Sequence, residues 1–142
     1  MPDGTVEENI HVFLPVMIVE YYKAGRNAAA TKKVGSSLHR FRLKTKRFRY
    51  TIELFRESCG PAFGKRLDGL RPIQNALGDI NDCVTARGLL SSSARKAAKS
   101  FLDKREKKKL KEFQFYWQNQ FDKEGAEASW IRYVEKMCVK VG

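Results

Sequence analysis

Residues 38–55 read LHRFRLKTKRFRYTIELF, and the distribution of charge in this stretch guides the interpretation of the whole chain. On an α-helix, side chains three or four residues apart lie on one face. That spacing predicts a polar stripe made of His39, Arg42, Lys46, Arg49 and Glu53. At 1.5 Å per residue, the stripe is about 15 Å long from His39 to Arg49.

Apolar side chains flank this polar stripe on both sides. One ridge contains Phe41, Phe48, Ile52 and Phe55, and the second ridge contains Leu43, Tyr50 and Leu54. A helix on the surface of a globular protein usually has one apolar face. Two ridges therefore predict that this helix packs on two sides, with the polar stripe between its partners.

The charge of the polar stripe is unbalanced. Three strong bases and one histidine stand against the single carboxylate of Glu53. Cations that are partly removed from water and have no counter-charge are costly. We therefore expect an anion from outside the chain to complete the charge balance.

The basic residues of the whole chain are clustered. Its net charge is +12, yet residues 38–56 hold seven Lys and Arg against one acidic residue, and residues 91–114 hold nine against three. Positive and negative charges cancel in the three remaining segments. Such clustering favours a polyanionic partner or an acidic membrane surface over a generally solubilising positive charge.

The length of 142 residues and the helical spacing of apolar positions predict one all-α domain over residues 1–142, an up-and-down bundle of four to five helices. Three cysteines (Cys59, Cys83 and Cys138) without a CxxC pair are typical of a reducing compartment and predict no disulfide framework. The early apolar run, residues 12–19, is too short to span a bilayer. We therefore expect a cytoplasmic location and no membrane partner.

Glycine and proline predict where the helices end or bend. The first helix is expected to kink at Pro15 and to end near Gly25. The central helix, residues 38–57, is expected to be stopped by the sequence at 59–61, where Gly60 suits a left-handed exit. Three further helices are predicted: residues 63–90 with a bend at Pro72, residues 94–122, and residues 126–139. Glycines inside a helix often let another helix or a ligand approach closely, and we expect this of Gly69, Gly78 and Gly88.

Other kinds of site have weaker support. Neither His11 nor His39 has a second metal ligand three or four residues away, so no metal site is predicted. No cofactor motif and no catalytic arrangement is indicated. The lysine-rich run 104–111 is interpreted as a solvated helix face, with a secondary anion-contacting surface as the alternative.

Two motifs carry a resemblance to a known family. Residues 39–53 follow the pattern HxxRxxxKxxRYxxE, which resembles the signature helix of the CHAD family of histidine-containing α-helical domains. Residues 70–82 follow LxPxQxxLGxxND, which resembles the second motif of that family. The good matches cover about residues 38–90, whereas the outer helices match only in their pattern.

This resemblance implies a helical bundle that binds inorganic polyphosphate through a basic surface or pore lined by the signature helix. Our leading hypothesis is that the domain binds polyphosphate without catalysis. Members of the family usually contain two such bundles, often attached to a triphosphate-tunnel domain. This chain has one copy of each motif and so resembles half of the usual domain. A homodimer would supply the missing half.

The resemblance and the charge pattern assign roles to the same residues. Arg42 and Arg49 are expected to grip phosphoryl oxygens in bidentate fashion, Lys46 to act as a point charge, and His39 to donate when protonated. The expected outer basic shell contains Arg40, Lys44 and Arg47. A supporting set is expected to position these groups or, for Gly78, to allow close approach; its members are Tyr50, Glu53, Gln74, Gly78, Asn81 and Asp82.

Two other functions are compatible with the sequence. Nucleic-acid binding would use the signature helix and the 104–111 face, but it favours a broad exposed groove over a narrow stripe. A polyphosphate-processing phosphohydrolase would need a carboxylate cluster for a divalent metal, for which Asp79, Asp82 and Glu53 are the candidates. Phosphate release with added magnesium or manganese distinguishes the enzyme from a binding module.

Overall fold

The computed structural model describes the backbone of residues 6–138 and the side chains of residues 12–138. Within this range there are no β-strands. The helices are α1 (Val6–Ala29), α2 (Ser36–Leu54), α3 (Phe63–Asp68), α4 (Arg71–Leu89), α5 (Ser92–Tyr116) and α6 (Ala126–Met137). A short 3₁₀-helix spans Glu57–Cys59, and a short π-helical segment spans Trp117–Phe121. The predicted all-α helical bundle is confirmed.

An aromatic cluster holds the helices together. Helix α1 packs against α2 and α6, α2 also packs against α4, and α4 packs against α5. Tyr21 of α1 stacks against two rings of α2, with centroid distances of 5.1 Å to Phe41 and 4.2 Å to Phe48. Its hydroxyl lies 2.9 Å from the buried Thr45 hydroxyl. These contacts fix the orientation of α2 about its own axis.

Helix α2 buries one face, not two. The buried residues follow helical spacing and are Leu38, Phe41, Thr45, Phe48 and Ile52. The predicted second ridge is exposed, with Leu43 at 42%, Tyr50 at 56% and Leu54 at 80%. The prediction of packing on two apolar sides is therefore wrong among the described residues, because the second ridge lies on the side of α2 opposite the core.

The predicted helix 63–90 is interrupted within its first third. The helix is interrupted by a turn between α3 and α4, and Pro72 lies in the first turn of α4. A proline is tolerated there because the first-turn N–H has no partner within the helix. The predicted helix 94–122 agrees with α5, which continues without a break into the π-helical segment Trp117–Phe121. The last helix ends at Met137, and its predicted end at residue 139 lies outside the described residues.

The prediction of no disulfide is wrong. Cys59 and Cys138 are 79 residues apart in sequence and form a buried disulfide. The bond ties the end of α6 to the turn that follows α2, whereas the buried Cys83 is free. Disulfides persist mainly in oxidising compartments, so this bond weighs against the cytoplasmic prediction. Residue spacing did not indicate the pair because only the fold brings these positions together.

Gly25 lies inside α1, which continues to Ala29, so the predicted end at Gly25 is wrong. A Cβ placed at Gly25 would overlap the Trp117 indole. The missing side chain therefore lets the buried indole rest directly against the α1 backbone. A Cβ at Gly88, by contrast, would meet nothing within 4 Å.

We expect Gly25→Ala to destabilise the protein by about 1–3 kcal/mol, because the buried Trp117 ring has to move to admit the methyl group. The free energy of unfolding, measured by chemical denaturation, tests this. Gly88→Ala is the matched control and should be neutral or stabilising by up to about 1 kcal/mol, because alanine favours helix. Equal effects of the two substitutions would contradict the described packing.

Candidate functional site

The polar stripe of α2 faces α4, and the two helices form the walls of a groove. Near the middle of the groove, a cavity of about 440 Å³ is bordered on the α2 side by Arg42 and Lys46. Its α4 wall consists of Gln74, Asn75, Gly78, Asp79 and Asp82. Two basic side chains of the stripe thus meet a mostly polar wall.

A second cavity, also about 440 Å³, lies at the N-terminal end of α2. Arg42 borders this cavity as well, so the two cavities adjoin at its side chain. His39 and Asn81 lie on the border of the second cavity, and Arg87 and Glu106 form an ion pair of 2.7 Å at its edge. The groove therefore has one polar and one more apolar compartment.

Arg49 is held in place by three neighbours. Its Nη1 donates a hydrogen bond of 2.6 Å to Oε1 of Gln74 in α4. Its Nε lies 3.6 Å from the Glu53 carboxylate, and its guanidinium carbon lies 5.6 Å from the centroid of the Tyr50 ring. These contacts restrict the rotamers of Arg49 before any ligand binds, which reduces the entropy lost on binding.

Arg42, Lys46 and Arg49 are partly buried, whereas His39 and Glu53 are exposed. Among the described residues, no carboxylate lies within 4 Å of the charged nitrogens of Arg42 or Lys46. The two acids of the middle cavity differ in their contacts. Asp79 is drawn towards α5, where its oxygens lie 3.6 Å from Arg105 and 3.4 Å from Lys109.

Asp82 lines the same cavity and is exposed. Its carboxylate has no ion-pair partner within 4 Å in the part of the chain that the structure describes. Asp82 thus adds negative charge near Arg42 and Lys46 without holding either in position. This finding does not match the supporting role expected of Asp82.

Arg40, Lys44 and Arg47 lie elsewhere on α2. They border a different groove, formed with Ala24, Asn27 and Ala28 of α1. They therefore do not surround the stripe as an outer shell, because steps of about 100° per residue carry them to the other side of the helix.

No helix of the described residues approaches Gly78 closely, so of the two expected neighbours only a ligand stays a prediction. A Cβ at Gly78 would meet nothing within 4 Å, and the residue lines the open middle cavity. Asn75 lines it too and was missed by the sequence analysis. Its position three residues before Gly78 and seven before Asp82 is the helical spacing that could have revealed it.

Sequence reasoning also missed Arg66, which lies outside the groove. Its guanidinium carbon lies 4.8 Å from the centroid of Tyr133 and 5.6 Å from that of Trp130, and Nη2 donates a 3.0 Å hydrogen bond to Ser129. Burial lowers the pKa of Arg66 from its ordinary value. Its aromatic partners come from α6, more than 60 residues away, so no local pattern identifies the contact.

Within the described residues, no group of three or more His, Cys, Asp or Glu side chains is arranged to hold a metal ion. The side chain of His11 lies outside that range. The helices of the described part also include none with the length and apolar character needed to cross a membrane.

A family model for the CHAD domain matches residues 2–91. The chain belongs to the CHAD domain family. The match spans α1 to α4 and so includes both walls of the groove. CHAD domains in general are associated with polyphosphate binding. Searches of curated proteins and of solved structures returned no match to this chain.

We expect Asp82→Asn to tighten the binding of inorganic triphosphate about fivefold at low salt, because it removes a negative charge from the cavity that Arg42 and Lys46 border. Isothermal titration calorimetry measures the change. Asp68→Asn is the matched control, because Asp68 is exposed on α3 and this substitution changes the net charge by the same amount. Weaker binding by Asp82→Asn would instead support a positioning role for this carboxylate.

Proposed function

We propose that this CHAD domain is a non-catalytic polyphosphate-binding module and that the groove between α2 and α4 is its binding site. One observation carries the proposal. Arg42 and Lys46 are partly buried beside an open cavity, with no carboxylate of the described residues within ion-pair distance. An anionic ligand would supply the missing counter-charge without first breaking an ion pair of Arg42 or Lys46.

The length of the basic row favours a chain of phosphoryl groups over a single phosphate. From His39 to Arg49 the row extends about 15 Å along the helix. Arg42 and Arg49 provide planar guanidinium groups for bidentate contacts, and Lys46 between them provides a compact charge. The hydrogen bond from Arg49 to Gln74 holds one of these groups in place in advance.

A second candidate function is nucleic-acid binding, and one observation favours it. Helix α5 exposes Lys104, Lys107, Lys108 and Lys111 beside the exposed ring of Phe115. Basic side chains next to an exposed aromatic ring are typical of surfaces that bind single-stranded nucleic acid. These residues lie on a separate, open face and do not explain the cations that border the groove.

We expect Arg42→Ala with Arg49→Ala to weaken polyphosphate binding at least 100-fold, because two charge-assisted contacts are lost, each contributing about 1.5–3 kcal/mol. The salt dependence should also become shallower as fewer counterions are released. Lys107→Ala with Lys108→Ala removes the same charge from the exposed α5 face and should have a much smaller effect. Circular dichroism checks that helix content is unchanged.

Equal losses from the two double variants would indicate diffuse electrostatics and contradict a defined site. A labelled single-stranded oligonucleotide provides the second arm of this experiment. Stronger binding of the oligonucleotide than of polyphosphate at physiological salt would favour the nucleic-acid function instead.

We also propose that a second copy of the chain covers an exposed apolar surface of α1. Val12, Val16 and Val19 recur at helical spacing and are about half exposed, as is the neighbouring Phe13. A contiguous apolar surface of this kind often marks an interaction site. A twofold homodimer would bury the same surface on both copies and bring two grooves into one assembly.

Size-exclusion chromatography with light scattering is expected to give the mass of a dimer. Val16→Glu should convert the dimer to a monomer, because it places a charge in the apolar surface. Thr85→Glu adds the same charge to an exposed position on α4 and should leave the dimer intact. A wild-type monomer that still binds polyphosphate would contradict dimerisation and leave the proposed function unaffected.

A further inference from the structure

The lining of the cavity at the N-terminal end of the groove does not suit an inorganic phosphate chain. Its lining is largely apolar, with side chains from both walls and from the α1–α2 connection: Val34, Leu38, Leu77, Ile80 and Val84. Phosphoryl oxygens gain nothing from contact with such a surface. A volume of about 440 Å³ is within the range of small-molecule sites, which are mostly apolar with a few placed polar groups.

The polar groups on the border of this cavity suit a flat heterocycle. The Asn81 amide makes no hydrogen bond to another described residue, and it offers one donor and one acceptor side by side. An asparagine amide can pair in this way with the edge of an adenine base. The exposed His39 ring stands on the same border, where it can stack on a base.

The Arg42 side chain lies between this apolar cavity and the basic residues that we propose to bind phosphate. Its side chain borders both cavities, so a ligand that occupies them together passes directly over it. Lys46 and Arg49 follow along α2, and the span from Arg42 to Arg49 is about 10 Å. One groove therefore offers an apolar compartment for an organic group and a basic row for several phosphates.

We propose that the groove binds a nucleoside 5′-polyphosphate, with the base in the apolar cavity and the phosphates along Arg42, Lys46 and Arg49. The phosphate part of this proposal rests on the proposed polyphosphate-binding function. The base part rests on the apolar lining and on Asn81. A simple alkyl chain fits less well, because it would bury the Asn81 amide without a partner.

The test compares adenosine 5′-triphosphate with inorganic triphosphate on the full chain by isothermal titration calorimetry, without divalent cations. We expect the nucleotide to bind about tenfold more tightly, the gain expected from stacking and enclosing one base. Inorganic triphosphate carries at least as much negative charge, so charge alone does not produce this preference.

Val84→Trp is designed to fill the apolar cavity without changing any charge. Val84 is 46% exposed, so a larger side chain does not need to enter the core. We expect this variant to lose the tenfold preference and to keep its affinity for inorganic triphosphate. Leu89→Trp is the control, because Leu89 is 82% exposed on the same helix and does not border the cavity.

Each outcome decides a different point. Equal affinities of the wild type for the two triphosphates would overturn the base site and leave the phosphate row in place. Failure of both ligands to bind would overturn the proposed function and this inference together. Dodecyl phosphate is the third ligand of the test. If it binds more tightly than the nucleotide, the cavity accepts alkyl chains, and the base site is overturned.

Discussion

The stacking of Tyr21 on Phe41 and Phe48 determines where the charged residues of α2 lie. These contacts, together with the hydrogen bond between the hydroxyls of Tyr21 and Thr45, fix the rotation of α2 about its axis. Every buried residue of α2 is followed directly by a residue of the polar stripe: 38 by 39, 41 by 42, 45 by 46, 48 by 49, and 52 by 53. A step of about 100° therefore places the whole stripe at the edge of the core, against α4. Rotation of α2 by one further residue would carry its cations into open solvent.

Helix α4 makes the other wall of the groove, and its own contacts determine how negative that wall is. Gln74 accepts a hydrogen bond from Arg49, while Asp79 is turned towards Arg105 and Lys109 of α5. Surface ion pairs of this kind contribute little to stability. Their consequence here is electrostatic, since they partly neutralise an acid that lines the same cavity as Arg42 and Lys46.

The two basic stretches of the sequence have equal surpluses of charge but different surroundings. In α2, Arg42 and Lys46 are partly buried beside a cavity. In α5, several cations pair with acids of α4 or α5, and the remaining lysines lie on an open face. Net charge alone does not distinguish these cases, because the cost of an unpaired cation depends on how far it is removed from water.

The sequence by itself determined the helical class, the polar stripe of α2 and one of its two apolar ridges, since these follow from local spacing. It also indicated that Gly60 takes a positive φ (+82°), which glycine adopts at no steric cost, although its ψ of 164° lies outside the left-handed helical region that was predicted. Only the tertiary structure decided that the second ridge is exposed, that Cys59 bonds Cys138, and that Gly25 receives the Trp117 ring. It also decided that α4 supplies the facing wall of the groove. The periodicity of apolar residues shows which face of a helix is buried. Contacts between residues 25 to 100 positions apart depend on how the helices pack, and helix packing produces no regular spacing in the sequence.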